Sequence, residues 1–193
     1  MFLAVHPPMI IETLEKLQPV ISKDSIVISL APKITIKKME ELLPEVHSIG
    51  RMNPSAPNII NQGMNPTAFS QTTEDKDKDY IMELFSTVGN TFIVEESKIE
   101  AYAVICAMGS TYFWYQLQLL SELGMEYGLE ETEAKSVITD MMKGSMSTLF
   151  ESGIEPSQVM DLVPVKPMGE YEDVIKGYYR EKLDEIYGRI KTV

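Results

Sequence analysis

The chain has 193 residues, 44% of them hydrophobic, with a formal net charge of −12 and a pI near 4.6. That length buries a sizeable core as one large domain or two small ones. The charge repels phosphate backbones and anionic lipid, which argues against nucleic acid or membrane surfaces and leaves a small molecule or another protein as partner.

Residues 2–5 are an apolar run closed by His6-Pro7-Pro8, which predicts a buried strand feeding a helix. In residues 9–21, Ile10, Leu14, Leu17 and Ile21 share one helical face, opposite Glu12, Glu15 and Lys16. Residues 25–30 read as a second strand, and residues 35–43 as a helix capped by Thr35 and stopped by Pro44. A third strand is expected at 46–49. It is followed by the loop Arg51-Met-Asn-Pro-Ser-Ala-Pro57, whose prolines forbid regular structure. Strand 64–71, helix 74–88 and strand 91–94 complete the alternation, with Gly89-Asn90 ending the helix. Such alternation implies a mostly parallel sheet covered on both faces.

After Glu95 the strand signals stop. Helices are expected over 97–127, 130–152, 156–162 and 170–191, which places a domain boundary between 1–95 and 96–193. The fold class is therefore α/β followed by all-α. Residues 101–121 carry no charge and are long enough to cross a bilayer, but Ser110, Thr111, Gln116 and Gln118 favour a helix buried in protein. The small residues Ala103, Ala107 and Thr111, with Trp114 and Leu117 beyond, suit close approach by another subunit. The single cysteine, Cys106, allows no internal disulfide, and no basic-then-apolar leader precedes a cleavage site, so the cytoplasm is the expected compartment. With only His6 and His47 and no cysteine cluster, a transition-metal site has no support.

Several strings in order resemble the pyrroline-5-carboxylate reductase family. Phe2-Leu-Ala-Val-His-Pro-Pro8 is similar to its strand ending in Ala-Val-Lys-Pro. Arg51 to Pro57 with Gln62-Gly-Met64 is similar to its Arg-x-Met-Pro-Asn-Thr-Pro loop and Glu-Gly-Met. Leu84-Phe-Ser-Thr-Val-Gly89, Gly124-Met-Glu-Tyr-Gly-Leu129 and Leu149-Phe-Glu-Ser-Gly153 fall at the family's spacings. The resemblance implies a partial Rossmann-like parallel sheet plus a helical dimerisation domain, a homodimer, and hydride transfer from NADP or NAD to a small molecule. It also implies a cofactor rim at Ala4, Val5, His6, Pro7, Asn53, Pro54 and Ser55, and substrate contacts at Gly109, Ser110, Thr111 and Met141.

The chain also departs from the family. Dinucleotide binding needs a glycine-rich turn that lets backbone amides approach the pyrophosphate at a helix N-terminus, and none of the 11 glycines forms one. By the resemblance the chain starts at the family's fourth strand. Either it is an N-terminally shortened product or cofactor binding has been lost; strands still suited to a full sheet favour the first. The family's Ser-Gly-Ser-Gly-Pro-Ala reads here as Cys106-Ala-Met-Gly-Ser-Thr111, its threonine near the imine falls on Met141, and Pro164-Val-Lys-Pro-Met-Gly169 replaces its Ser-Pro-Gly-Gly-Thr-Thr loop. Proline-forming imine reduction is thereby called into doubt. The expected roles run from an oxidoreductase with a changed substrate to a non-catalytic dimerising protein. Each site residue also has a plain reading: helix entry for His6, turn formation for Asn53 and Ser55, backbone bonding for Ser110 and Thr111, and core filling for Met141, Met142 and Met146. Glu40-Glu41, Glu95-Glu96 and Glu130-Glu131 read as solvated helix ends.

Overall fold

The computed structural model describes residues 1–191. The apolar alternation of the first half becomes one sheet of β1 (Phe2–Leu3), β2 (Ile26–Ser29), β3 (Ser48–Met52), β4 (Gly63–Phe69) and β5 (Gly89–Ile93), hydrogen-bonded in chain order. Only the β3–β4 junction is antiparallel. Because successive strand residues point to opposite faces, Leu3, Val27 and Ile49 pack beneath α1 (Ile10–Leu17) and α2 (Ile36–Leu42). Ile28 and Met52 point the other way, onto Ile81 and Phe85 of α3 (Asp75–Ser86). Two parallel crossovers running the same way share one face, as the fixed handedness of such units requires. The Thr35 cap is present: its hydroxyl accepts the Lys38 amide at 3.0 Å.

Several expectations are corrected. The third strand starts later than 46–49 and takes in Arg51 and Met52, which the proline pattern assigns to a loop. Pairing with β2, from Ile26 opposite Ser48 to Ser29 opposite Arg51, fixes that register. It is tolerable because the Arg51 side chain, 2% exposed, is neutralised: Nη1 lies 3.0 Å from Glu96 Oε1 and Nη2 lies 2.6 Å from Glu100 Oε1. Glu96 Oε1 also accepts the Ile36 amide at 2.7 Å, at the start of α2. Glu96 is thus part of a buried ionic joint and not a solvated helix end.

The long helix over 97–127 is interrupted. A short turn (Glu96–Lys98) leads into α4 (Ile99–Tyr102), then a π-helical turn (Ala103–Ala107), then α5 (Ser110–Glu126). Gly109 is where the break resolves. A Cβ there would lie 2.2 Å from the Ile105 carbonyl oxygen, so only glycine fits. The remaining helices are α6 (Glu131–Glu151), α7 (Pro156–Val159) and α8 (Glu172–Ile190).

The chain divides into two compact units, Met1–Ser110 with the stretch from Glu181 onward, and Thr111–Arg180. In the first, Ala103 and Val104 are buried against Leu183, Ile186 and Ile190 of α8, so Ala103 faces the chain's own C-terminal helix. In the second, α5 ends as glycine-capped helices do: Gly128, at φ 99°, donates to Met125 O, and Leu129 donates to Gly124 O. A Cβ on Gly124 would approach the Ala134 Cβ to 3.3 Å, which marks the close approach of α5 and α6. Met141 and Met146 of α6 are exposed rather than core-filling, as are Trp114, Tyr127 and Phe150. No helix among the described residues is long and apolar enough to cross a membrane.

Two stability measurements check this packing. Leu14→Ala, at a fully buried position under the sheet, lowers the urea-unfolding free energy by about 2–5 kcal/mol. Arg51→Met strands Glu100 without its guanidinium and costs about 3–5 kcal/mol. Adding Glu100→Leu to Arg51→Met recovers most of that loss, because a buried ion pair is replaceable by apolar groups whereas a buried carboxylate that has lost its guanidinium is destabilising.

Candidate functional site

In open sheets of this kind, ligands bind beyond the carboxyl ends of the parallel strands. Three chain exits meet that description. β1 leads into Ala4-Val5-His6-Pro7, β2 into Leu30-Ala31-Pro32-Lys33, and β3 into Asn53-Pro54-Ser55. Ala4 and His6 are exposed, with Val5 and Pro7 half-buried. His6 is extended at φ −63° and ψ 143°, and its carbonyl accepts the Met9 amide at 2.9 Å, so its backbone starts the turn Pro7–Met9. At the second exit Lys33 holds a left-handed φ of 66°, a conformation that side chains rarely adopt and that the sequence did not flag.

The third exit is the most constrained. Asn53 Nδ2 donates to the Ile99 carbonyl at 2.8 Å, and its backbone amide donates to Pro66 O at 3.2 Å. Ser55 is buried, and its hydroxyl accepts the Met64 amide at 2.8 Å. The loop is therefore tied to both β4 and α4. Asn53 and Ser55 act on the loop's shape, and the segment directly follows Met52, whose neighbour Arg51 is held by Glu96 and Glu100. Sequence reading missed that joint; its one signal was a charged residue at the end of an apolar strand.

Gly109 is buried and Ser110 half-buried, both in the first unit at the end of the π-turn, where the Met108 amide reaches Ala103 O at 3.0 Å. Thr111 is exposed and opens the second unit. Met141, 45% exposed, lies on α6 in that unit, and its Sδ accepts the Ser145 hydroxyl at 3.6 Å. The first unit thus holds the exits Ala4–Pro7 and Asn53–Ser55 together with Gly109 and Ser110, while Thr111 and Met141 belong to the second. Cys106 is half-buried, and burial pushes its thiol pKa up, away from nucleophilic character. Among the described residues no three His, Cys, Asp or Glu side chains gather as a metal site.

The exits bring exposed Ala4 and His6 and half-buried Val5, Pro7, Asn53 and Pro54 to the carboxyl ends of the parallel strands. The described residues have no glycine-rich turn opening a helix that would cradle a pyrophosphate.

Comparison with known proteins agrees with the residue strings. Residues 96–186 match the family model for pyrroline-5-carboxylate reductase dimerisation. The chain is 29% identical over 161 residues to a pyrroline-5-carboxylate reductase of Corynebacterium melassecola, covering 82% of this chain and 60% of that protein. It is 26% identical over 185 residues to pyrroline-5-carboxylate reductase 2 of Bacillus subtilis (strain 168), covering 95% and 65%. The chain therefore spans less than two thirds of these curated relatives. In fold it is similar to the Plasmodium falciparum pyrroline carboxylate reductase solved with NADP bound, at a TM-score of 0.80 and 22% identity over 98% of this chain and 79% of that one. A pyrroline-5-carboxylate reductase from Coxiella burnetii aligns at a TM-score of 0.66 and 25% identity, over 98% and 72%. The matching helical half, the relatives aligned through the sheet and the shared fold agree: residues 96–186 carry the family's dimerisation region, and the chain through most of its length is similar to pyrroline-5-carboxylate reductases.

Proposed function

We propose that these residues form the rim-and-dimer part of an NAD(P)-dependent oxidoreductase that works as a cytoplasmic homodimer on a small molecule other than pyrroline-5-carboxylate. Residues 1–95 are the C-terminal part of its dinucleotide domain and residues 96–193 its dimerisation domain. Ala4, Val5, His6, Pro7, Asn53, Pro54 and Ser55 line the nicotinamide end, and Gly109, Ser110, Thr111 and Met141 the substrate side. The observation that carries this reading is the Asn53–Ser55 loop, which is fixed at the carboxyl end of β3 by bonds to Ile99 and Met64. A loop serving only as a connection does not require both ties.

The nicotinamide group supplies hydride when it is bound; the chain's own part is to hold the rim and exclude water around the acceptor. Met141 bears on substrate choice. Its thioether has no proton to donate, and the hydroxyl one turn on, Ser145, points onto its sulfur. A substrate held beside it is one that arrives already protonated or needs no proton from that position. The competing reading, a dimerising protein without catalysis, draws on the lack of a glycine-rich turn in these residues.

The coding sequence upstream of Met1 separates the two readings. An in-frame strand and Gly-x-Gly-x-x-Gly turn supports the reductase, and an immediate in-frame stop leaves only the dimer. Titration of NADPH fluorescence with the 193-residue chain alone is expected to show no saturation below about millimolar concentration, equivalent to about −4 kcal/mol; saturation at micromolar levels contradicts the account of the missing cradle.

Assembly is tested separately. Trp114 is 53% exposed and lines a groove of about 440 Å³ with Leu117, Ile138, Met142 and Met146. Burying a side chain of this size contributes about 1.5–3 kcal/mol. Sedimentation equilibrium is expected to show a dimer, and Trp114→Ala to weaken it about tenfold or more, at 1.4 kcal/mol per factor of ten. A monomer at all concentrations refutes the dimer.

A further inference from the structure

Beyond the exit of β2, between the start of α1 and the length of α2, lies a cavity of about 310 Å³. Its polar lining is Lys33, Thr35, Lys37, Lys38 and Glu41, over an apolar wall of Ile11 and Ile34. All of these belong to the first unit, and none is a rim or substrate position named above. Lysines of this chain mostly stand against a carboxylate, as Lys16, Lys78, Lys135 and Lys176 do. Lys33 and Lys37 enter no ion pair among the described residues, although the chain has 29 acidic residues against 17 basic ones. Glu41, the one carboxylate in the lining, is taken by Lys38 at 3.0 Å. The ammonium groups of Lys33 and Lys37 are thus the uncompensated charge of the cavity. The net charge of −12 does not cancel them from a distance, because at physiological salt exposed charges more than about 8 Å apart are largely screened from each other.

The backbone that carries these groups is held in place. Ile34, Ile36 and Met39 are buried, and the Ile36 amide donates to Glu96 Oε1 at 2.7 Å. The Thr35 oxygen accepts the Lys38 amide at 3.0 Å, which leaves the hydroxyl proton to donate elsewhere. Lys33 is fixed at a φ of 66°, and a side chain keeps that strained conformation only where its surroundings impose it. A seat whose backbone is already ordered pays less to bind than a mobile loop does.

We propose that this cavity binds a small dianion of the phosphate-monoester class, with the Lys33 and Lys37 ammonium groups and the Thr35 hydroxyl donating to its oxygens. A phosphate monoester gathers close to two negative charges and three strong acceptor oxygens in one group, which matches two unpaired cations and one free hydroxyl proton around one cavity. A carboxylate brings half that charge, and a dicarboxylate divides it between separated groups. The volume lies at the small end of ligand cavities, so the rest of the ligand is small. This site does not depend on the reductase reading above.

The test is titration of the isotope-labelled 193-residue chain with methyl phosphate, followed by amide chemical shifts at constant ionic strength and at a pH above the second phosphate pKa of about 6. The Lys33, Thr35 and Lys37 amides are expected to shift together and to saturate, with half-saturation at about millimolar concentration or below. Lys33→Gln and Lys37→Gln are each expected to weaken binding about fivefold or more, and Lys33→Arg, which keeps the charge, to leave it within about threefold. The amide shifts of each free variant away from residues 33–41 are compared with the parent first, so that a folding defect is seen as such. Succinate is expected to bind about fivefold or more weakly than methyl phosphate; equal or tighter succinate binding overturns the phosphate class. A titration without saturation overturns the site, as do equal shifts at Lys16 and Lys76 or affinity that survives both glutamine substitutions in one chain.

Discussion

The first unit depends on a buried guanidinium. Arg51 is at the carboxyl end of β3, almost out of reach of water, and it is held by carboxylates from the segment that follows β5. Through Glus 96 and 100 the same charge joins the end of a central strand to the start of α4, and through the Ile36 amide to the start of α2. Desolvating Arg51 and Glu100 is costly, and apolar residues of the same shape would give comparable stability. What the ionic joint adds is direction: a guanidinium presents its donors in a fixed plane, so β3 meets its partners in one orientation. The Asn53–Ser55 loop starts two residues later and inherits that placement.

Much of this fold could be read from residue spacing. Period-two and period-3.6 apolar patterns located five strands and the helices between them, and Thr35 and Pro44 marked the ends of α2. Local signals failed where the deciding partner was distant. Arg51 belongs in a strand only because Glu96 and Glu100 lie 45 and 49 residues further on. The π-turn after α4 depends on the Gly109 backbone having no Cβ beside Ile105 O, a contact that no helical periodicity reports. Ala103, with the profile of an interface residue, is covered by the last turns of α8, some eighty residues away.

The candidate site was legible in a different sense. Its positions came from ordered strings and not from chemistry, since neither Asn53 nor Ser55 shows from type alone what it bonds. In the fold both side chains bind backbone: Asn53 the Ile99 carbonyl, Ser55 the Met64 amide. A turn-forming role and a rim role are therefore not rivals at these residues. A rigid loop is what a ring-binding rim requires, because positional error at a reacting centre is paid in rate.

The two units satisfy themselves to different degrees. In the sheet unit the central strand residues Val27, Ile28, Ile49 and Met52 are covered, with Phe2 and Ile93 open on the two marginal strands, and its buried charge is paired within the chain. In the helical unit Trp114, Tyr127, Phe150 and Met146 remain open to water along α5, α6 and the turn between them. An acidic chain with a net charge of −12 resists nonspecific aggregation through repulsion, but that repulsion also opposes self-association. Any specific contact between like copies must then draw its free energy from apolar area, with charges kept to the rim. The groove floor formed by Leu117, Ile138 and Met142 meets that condition, and its only cations, Lys135 and Lys143, stand where they can offset the acidic field of an approaching copy.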